Sequence, residues 1–269
     1  MRSDAPPGFV ACSQGECAGW LRADLAALPA AVWWEAGQPF PGAKGRGEVA
    51  LLDLDGVRGV ARRYRRGGAL RHVLPDRFAS PRRVQRELAV LAALRARGVL
   101  VVEPLAALWR GAAPLFELRL VTTWIEGAAP LPDFVAAHPD LRRAAVRRAG
   151  GVVAAAFAAG LVHTDLHPDN LVARLEPGGA LTVALLDLDR AQVVARLTPG
   201  QHDAMLVRMA RYLVRHARSL RVAASLPDRL RFLAGMGHTR AERRSLVARL
   251  VPQLEAQVRR HRLAWWIQG

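Results

Sequence analysis

Eight consecutive residues, His163-Thr164-Asp165-Leu166-His167-Pro168-Asp169-Asn170, constrain this chain more than any other feature. The first two end a sixteen-residue uncharged run, Ala149 to Thr164, and seventeen positions after Asn170 comes Asp187, in Leu185-Leu186-Asp187-Leu188-Asp189-Arg190. A carboxylate, an amide five positions on and a second carboxylate ending an apolar strand form the oxygen set of a phosphoryl-transfer site. In that reading Asp165 accepts the proton of the attacking hydroxyl, or orients it, and His163 braces the loop backbone. Asn170 and Asp187 are the metal ligands, enough for Mg2+, which takes one or two protein oxygens and completes its shell with phosphate and water. Asp187 is preferred to Asp189 because it ends Ala184-Leu185-Leu186. Asp189 is either a second ligand or a partner for Arg190, and His167 and Asp169 either face substrate or stabilise the loop.

The rest of the pattern places this loop. Residues 1–31 read as an N-terminal extension with a short helical piece around Ala23 to Leu28, and from Val32 the pattern turns strand-like. Gly42-Ala43-Lys44-Gly45-Arg46-Gly47 is a glycine-rich turn, and Asp55-Gly56 between two apolar runs predicts a hairpin. Ser80-Pro81 starts a helix on which Val84, Leu88, Leu91 and Leu94 recur at helical spacing, carrying Glu87, and Gly98 ends it. Two strands follow, Leu100 to Trp109 and Leu115 to Thr123, then a linker at Trp124-Ile125-Glu126-Gly127. Beyond it helices are expected at about 139–160, 200–223, 226–235 and 239–263, interrupted by the loop and a hairpin (170–174 and 181–187). The expected fold is α+β and two-lobed, like a protein kinase. Residues 32–124 make a small β-rich N-lobe with one helix for nucleotide binding, and 125–269 a larger helical C-lobe.

Gly42, Gly45 and Gly47 would let backbone amides approach phosphates closely. No Gly-Lys-Ser/Thr follows, so this is not a P-loop. Where protein kinases carry a phosphate-pairing lysine, the strand reads Gly59-Val60-Ala61-Arg62. Arg62 is expected to pair with Glu87 and a nucleotide phosphate, and Lys44 is the ammonium available from the glycine turn.

Composition bounds the rest. With 269 residues, 51% hydrophobic and 23% charged, the chain is globular and large enough for one two-lobed domain or two small ones. The uncharged run before Asp165 is short for a membrane span. Asp4, Pro6 and Pro7 do not suit a signal peptide, so an intracellular protein with reduced Cys12 and Cys17 is expected. The net charge of +16 is carried almost wholly by arginine, since Lys44 is the only lysine. That excess either reflects genome composition or attracts a polyanion. No aromatic-basic motif singles out nucleic acid.

Gly45-Arg46-Gly47 followed by Ala61-Arg62-Arg63-Tyr64-Arg65-Arg66-Gly67-Gly68 resembles the lipopolysaccharide kinases of the 3-deoxy-D-manno-octulosonic acid (Kdo) and heptose type. Asp76-Arg77-Phe78, Arg86-Glu87-Leu88, Val102-Glu103-Pro104-Leu105-Ala106, Ile125-Glu126-Gly127-Ala128 and Leu186-Asp187-Leu188-Asp189-Arg190 fit in order, over about residues 38–195. The resemblance implies ATP and Mg2+ as cofactors, Asp165 as catalytic carboxylate, Asn170 and Asp187 as metal residues, and arginine in place of lysine. It implies an acceptor such as lipid A–Kdo, or another sugar, met at the cytoplasmic face of the inner membrane. His167-Pro168-Asp169 departs towards aminoglycoside and choline phosphotransferases, which leaves a soluble small-molecule kinase as the alternative. A non-catalytic module that binds acidic glycolipid or nucleic acid is a second alternative. Arg65, Arg66 and Arg71, and the C-terminal Arg259 to Ile267 with Trp265 and Trp266, suit peripheral contact with an anionic membrane; the tryptophans would otherwise dock on the helical lobe.

Overall fold

The structure, a computed structural model, describes residues 4–34, 38–39, 49–65, 76–217, 220 and 223–268. It divides into two compact units, Met1–Ala96 with Val102–Ile125, and Arg97–Val101 with Glu126–Gly269.

The first unit is built on a seven-stranded antiparallel sheet. Its strands are β1 (Phe9–Gln14), β2 (Cys17–Arg22), β3 (Gln38–Pro39), β4 (Val49–Leu54), β5 (Val57–Arg63), β6 (Pro104–Arg110) and β7 (Glu117–Thr123), in the order β1-β2-β6-β7-β5-β4-β3. The expected hairpin turn is present. Asp55 (φ 54°) and Gly56 (φ 82°) are both left-handed, the combination whose twist matches that of the flanking strands. The helix α2 (Arg82–Ala96) buries Val84, Leu88, Leu91 and Leu94, along with Glu87, and packs on β6 and β7.

Two elements differ from expectation. Residues 9–22 form a hairpin that enlarges the sheet, because β2 pairs with β6. Gly19 permits that pairing, since a Cβ there would sit 2.7 Å from the Ala107 carbonyl oxygen. The segment expected to become strand-like at Val32 is instead a short helix, α1 (Ala30–Trp34), which drives Trp33 and Trp34 into a core with Leu21, Leu54, Leu105 and Val121. Burial of two indoles outweighs the strand preference of these residues. The guanidiniums of Arg110 and Arg119 lie 4.8 and 5.0 Å from the Trp34 ring centroid.

The second unit is mainly helical: α3 (Leu131–Ala137), α4 (Arg142–Ala158), α5 (Pro199–Arg215), α6 (Leu226–Gly235) and α7 (Arg240–Gln268). The expected hairpin is β10 (Leu171–Leu175) with β11 (Leu181–Leu185), joined by β8 (Ala129–Pro130). A separate pair joins β9 (Leu161–His163) to β12 (Ala191–Val193). Among the described residues no helix is long and apolar enough to cross a membrane.

The helices α4 and α6 touch backbone to backbone. A Cβ on Gly150 would overlap the carbonyl oxygen of Phe232, and one on Gly235 that of Arg147. Near the start of α6, Ser225 and Asp228 form a capping box, and Asp228 also accepts hydrogen bonds from Arg142 of α4, one of them from Nε at 3.2 Å. Burial pushes the Asp228 carboxyl up, but the bonds from Arg142 and Ser225 outweigh it and hold the group at about 2, below the ordinary 3.8.

Gly150→Ala should therefore force the two helices apart and cost about 1–3 kcal/mol, read as a lowered urea midpoint. The Asp228 contribution has the sign of a depressed carboxylate: fully present above about pH 4, lost as pH falls through about 2. The gap in unfolding free energy between wild type and Asp228→Asn should be on the order of 2 kcal/mol at neutral pH and close towards pH 2.

Candidate active site

The loop between β9 and β10 is assembled around one imidazole. Helix α4 ends, Gly160 turns the chain with φ 82°, and β9 delivers His163, 2% exposed, opposite Ala191 of β12. The His163 Nδ1 accepts the backbone N–H of Asp165 at 2.9 Å, so that nitrogen carries no proton. The Nε2 then holds the ring proton and donates it to the carbonyl oxygen of Asp187 at 2.9 Å. Burial lowers the imidazole pKa, and the Asp187 carbonyl and nearby carboxylates offset this only in part. The ring is thus a neutral strut that joins the backbone of Asp165 to that of Asp187.

Each candidate side chain has a distinct setting. Asp165 is exposed, with its backbone fixed by His163. Asn170 is 3% exposed and closes a 3-10 turn, Pro168–Asn170; its Oδ1 accepts the His167 N–H at 2.8 Å, which uses one of two lone pairs. Its backbone carbonyl accepts Leu186 N–H at 2.7 Å, tying the turn to the segment that bears Asp187. Asp187 is exposed and left-handed (φ 56°), an uncommon conformation for a residue with a side chain. Among the described residues no three His, Cys, Asp or Glu side chains converge on a metal site. An amide oxygen and a carboxylate are nonetheless the hard donors that suit a cation sharing its shell with phosphate and water.

Tyr212 of α5 was not foreseen. Its hydroxyl donates to Asp169, and its ring stacks on His167 (centroids 4.6 Å, planes 11° apart) and on His216 (4.1 Å, 30°). Burial, and then the bond to Asp169, push the phenol pKa up, so it stays a protonated donor. Asp169, one of the two residues left open by sequence, thus stabilises the loop. The same helix supplies Met205, whose Sδ accepts the His163 N–H at 3.3 Å, and Arg208, which donates to the His163 carbonyl at 3.2 Å. The only sequence trace of this contact is the i, i+3, i+7 spacing of these three residues.

In the first unit, Arg62 of β5 meets Glu87 of α2. Its Nη2 lies 2.6 and 2.8 Å from the two carboxylate oxygens of a residue 2% exposed. Tyr64, the residue just past the end of β5, donates its hydroxyl to Glu87, and the Arg62 guanidinium lies 4.9 Å from its ring. Gly42, Lys44, Gly45 and Gly47 lie outside the described residues, as do Arg66 and Arg71 and the side chains of Trp265 and Trp266.

The sequence model of the lipopolysaccharide kinase (Kdo/WaaP) family matches residues 30–235. The chain belongs to that family. It is 27% identical over 176 residues to a 3-deoxy-D-manno-octulosonic acid kinase of Vibrio vulnificus, covering 64% of this chain and 72% of the relative. A kinase of the same name from Stenotrophomonas maltophilia is also 27% identical, over 224 residues, or 79% and 87% of the two chains. Among solved structures, WaaP in complex with acyl carrier protein aligns with a TM-score of 0.55 at 18% identity, over 82% of this chain and 88% of that one. That likeness extends to the fold, which is protein-kinase-like. The family membership makes the chain a phosphotransferase with a sugar hydroxyl as acceptor, a kinase of the lipopolysaccharide core. It sets aside the non-catalytic and soluble small-molecule alternatives.

Tyr212→Phe keeps the aromatic stack and removes the bond to Asp169. We expect a kcat reduced about three- to thirtyfold, less than the full value of a charge-assisted hydrogen bond because the bond holds the loop and not the reacting atoms, with the melting temperature changed by only a few degrees. Steady-state kinetics alongside thermal melts checks this.

Proposed function

We propose that this chain transfers the γ-phosphoryl group of ATP to a hydroxyl of Kdo in the lipopolysaccharide inner core. The observation that carries the reading is the His163 strut, which joins the backbone at Asp165 to the backbone at Asp187 through one neutral ring. The choice of Kdo over heptose is supported by the kinases named for 3-deoxy-D-manno-octulosonic acid that this chain is similar to.

Asp165 orients the acceptor hydroxyl and takes its proton as the acceptor oxygen bonds to the γ-phosphorus. The bond between that phosphorus and the β,γ-bridging oxygen breaks, and ADP leaves with the electron pair. Asn170 and Asp187 are the residues that would hold Mg2+, which supplies charge neutralisation on the phosphates when bound. His163 moves no proton; it keeps the two backbone segments in register. Arg62, oriented by Glu87, serves as the phosphate-pairing cation, and Gly42, Lys44, Gly45 and Gly47 contribute to nucleotide binding. Residues 32–124 act as the nucleotide-binding lobe and 125–269 as the catalytic and acceptor lobe. The acceptor is an anionic glycolipid, lipid A bearing Kdo, met peripherally at the cytoplasmic face of the inner membrane. The net charge of +16 supports such an encounter.

Incubation with labelled ATP, Mg2+ and either Kdo-bearing lipid A or a heptose-bearing core tests the assignment. Label should enter the Kdo glycolipid, and Asp165→Asn should lower kcat about 10²- to 10⁴-fold. Transfer confined to the heptose substrate would overturn the choice of acceptor.

A further inference from the structure

The turn between Asp187 and β12 has a conformation that its own sequence does not favour. Among the described residues, the non-glycine positions with left-handed φ are Asp55, Asp187 and Arg190. Aspartate is one of the residue types that tolerate this region, and Asp55 also belongs to a hairpin turn; arginine has neither reason to be there. Arg190 (φ 66°) is the third residue of a β-turn closed by the Ala191 N–H on the Leu188 carbonyl at 3.0 Å. Glycine or asparagine is the low-energy choice at such a position. The chain carries an exposed arginine instead.

The neighbours of Arg190 anchor the turn without using its side chain. Leu188 is 0% exposed and Ala191 1%, and Ala191 opens β12 opposite His163. Among the described residues no carboxylate forms an ion pair with Arg190, so Asp189 is not the partner that sequence left open for it. Placement supplies a role. Since β12 runs antiparallel to β9 with Ala191 opposite His163, Arg190 and Thr164 stand together at one end of that pair. Asp165 follows Thr164 directly, and Asp187, three residues before Arg190, is tied by its carbonyl to the His163 ring. Asp165, Asp187 and Arg190 are all exposed. The backbone thus brings a guanidinium to the end of the strand pair that also carries the carboxylate for the acceptor hydroxyl and the carboxylate for the phosphate-bound cation. What passes between those two carboxylates is an anion with its charge spread over equatorial oxygens, which planar N–H donors match.

We propose that Arg190 binds the phosphoryl group in transit, and that the left-handed turn serves to place it there. The inference rests on the sugar-kinase reading above and deepens it. The acceptor oxygen bonds to phosphorus while its proton passes to Asp165, and the bridging oxygen leaves on ADP with the electron pair. Arg190 donates to the equatorial oxygens of the group that moves. It is then a catalytic residue, and its charge is present throughout the working pH range.

Arg190→Gly separates the two demands on this position. Glycine suits the backbone, so the melting temperature should stay level or rise slightly. The kcat for transfer from Mg-ATP to Kdo-bearing lipid A should fall about 10²- to 10³-fold, the range of one lost donor to a transition-state oxyanion. KM for ATP and for the glycolipid should each change by less than about threefold. Added guanidinium ion at millimolar concentration should restore part of the lost kcat and leave wild type unaffected. Arg190→Lys, which keeps the charge and loses the planar donors, should lie between the two. A kcat for Arg190→Gly within about threefold of wild type would overturn the inference. A loss carried by KM for the glycolipid at unchanged kcat would also overturn it, because the arginine would then be a contact for the bound acceptor. So would a kcat loss that guanidinium fails to restore and that comes with a lowered melting temperature, the signature of a residue that only shapes the turn. If wild type phosphorylates no sugar acceptor, the sugar-kinase reading falls and takes the inference with it, a result read before any variant is made.

Discussion

A single buried imidazole carries the organisation of the catalytic unit. The three functional positions lie on segments that have no covalent reason to stay in register: the loop after β9, the turn before β10 and the bend after β11. His163 joins the first to the last, and the Asn170 carbonyl with Leu186 N–H joins the second to the last. Without the ring, the Asp165 N–H and the Asp187 carbonyl would each need another partner, and a buried polar group left without one costs about 1–3 kcal/mol. Lowering of the imidazole pKa by burial serves the same end. A protonated ring would donate from both nitrogens and lose the acceptor that the Asp165 N–H requires.

Much of the positive charge is spent inside the fold. Glu117, 3% exposed, is approached by Arg63 and Arg110 at 2.7 Å and by Arg77 at 2.8 Å. Burial would raise its pKa, but the arginines outweigh this and keep it below the ordinary carboxylate range. Arg142 and Arg231 share Asp228 in the second unit, and Arg249 engages Asp203. The net charge of +16 already subtracts these carboxylates, so such pairing does not reduce it.

The parts legible in the sequence are those whose information is local. Asp55-Gly56 announces its turn because two adjacent residues must both tolerate positive φ. The spacing of Val84, Leu88, Leu91 and Leu94 announces the buried face of α2 without reference to what covers it. The octapeptide is likewise contiguous. The N-terminal hairpin was hidden because β1 is exposed at most positions and β2 finds its other neighbour in β6, more than eighty residues on. The helix at Ala30–Trp34 was missed because burial of two tryptophans, not backbone preference, decides its conformation. Tyr212 and Arg208 left only a helical spacing, since their meaning depends on which loop α5 faces.

The pairing of Arg62 with Glu87 shows the two kinds of information meeting. Strand and helix placement suffice to expect the contact, but they cannot say why arginine stands where protein kinases have lysine. Tyr64 supplies part of the reason. Its hydroxyl takes one side of the Glu87 carboxylate, while its ring lies under the guanidinium at 4.9 Å. A second guanidinium, from Arg83, approaches the same ring at 5.0 Å. A delocalised, weakly hydrated cation tolerates that sandwich, whereas an ammonium is more strongly hydrated and lacks the flat face to lie against the ring. The arginine therefore belongs to a set with Tyr64 and Glu87, and replacing it by lysine alone would alter both the stack and the ion pair.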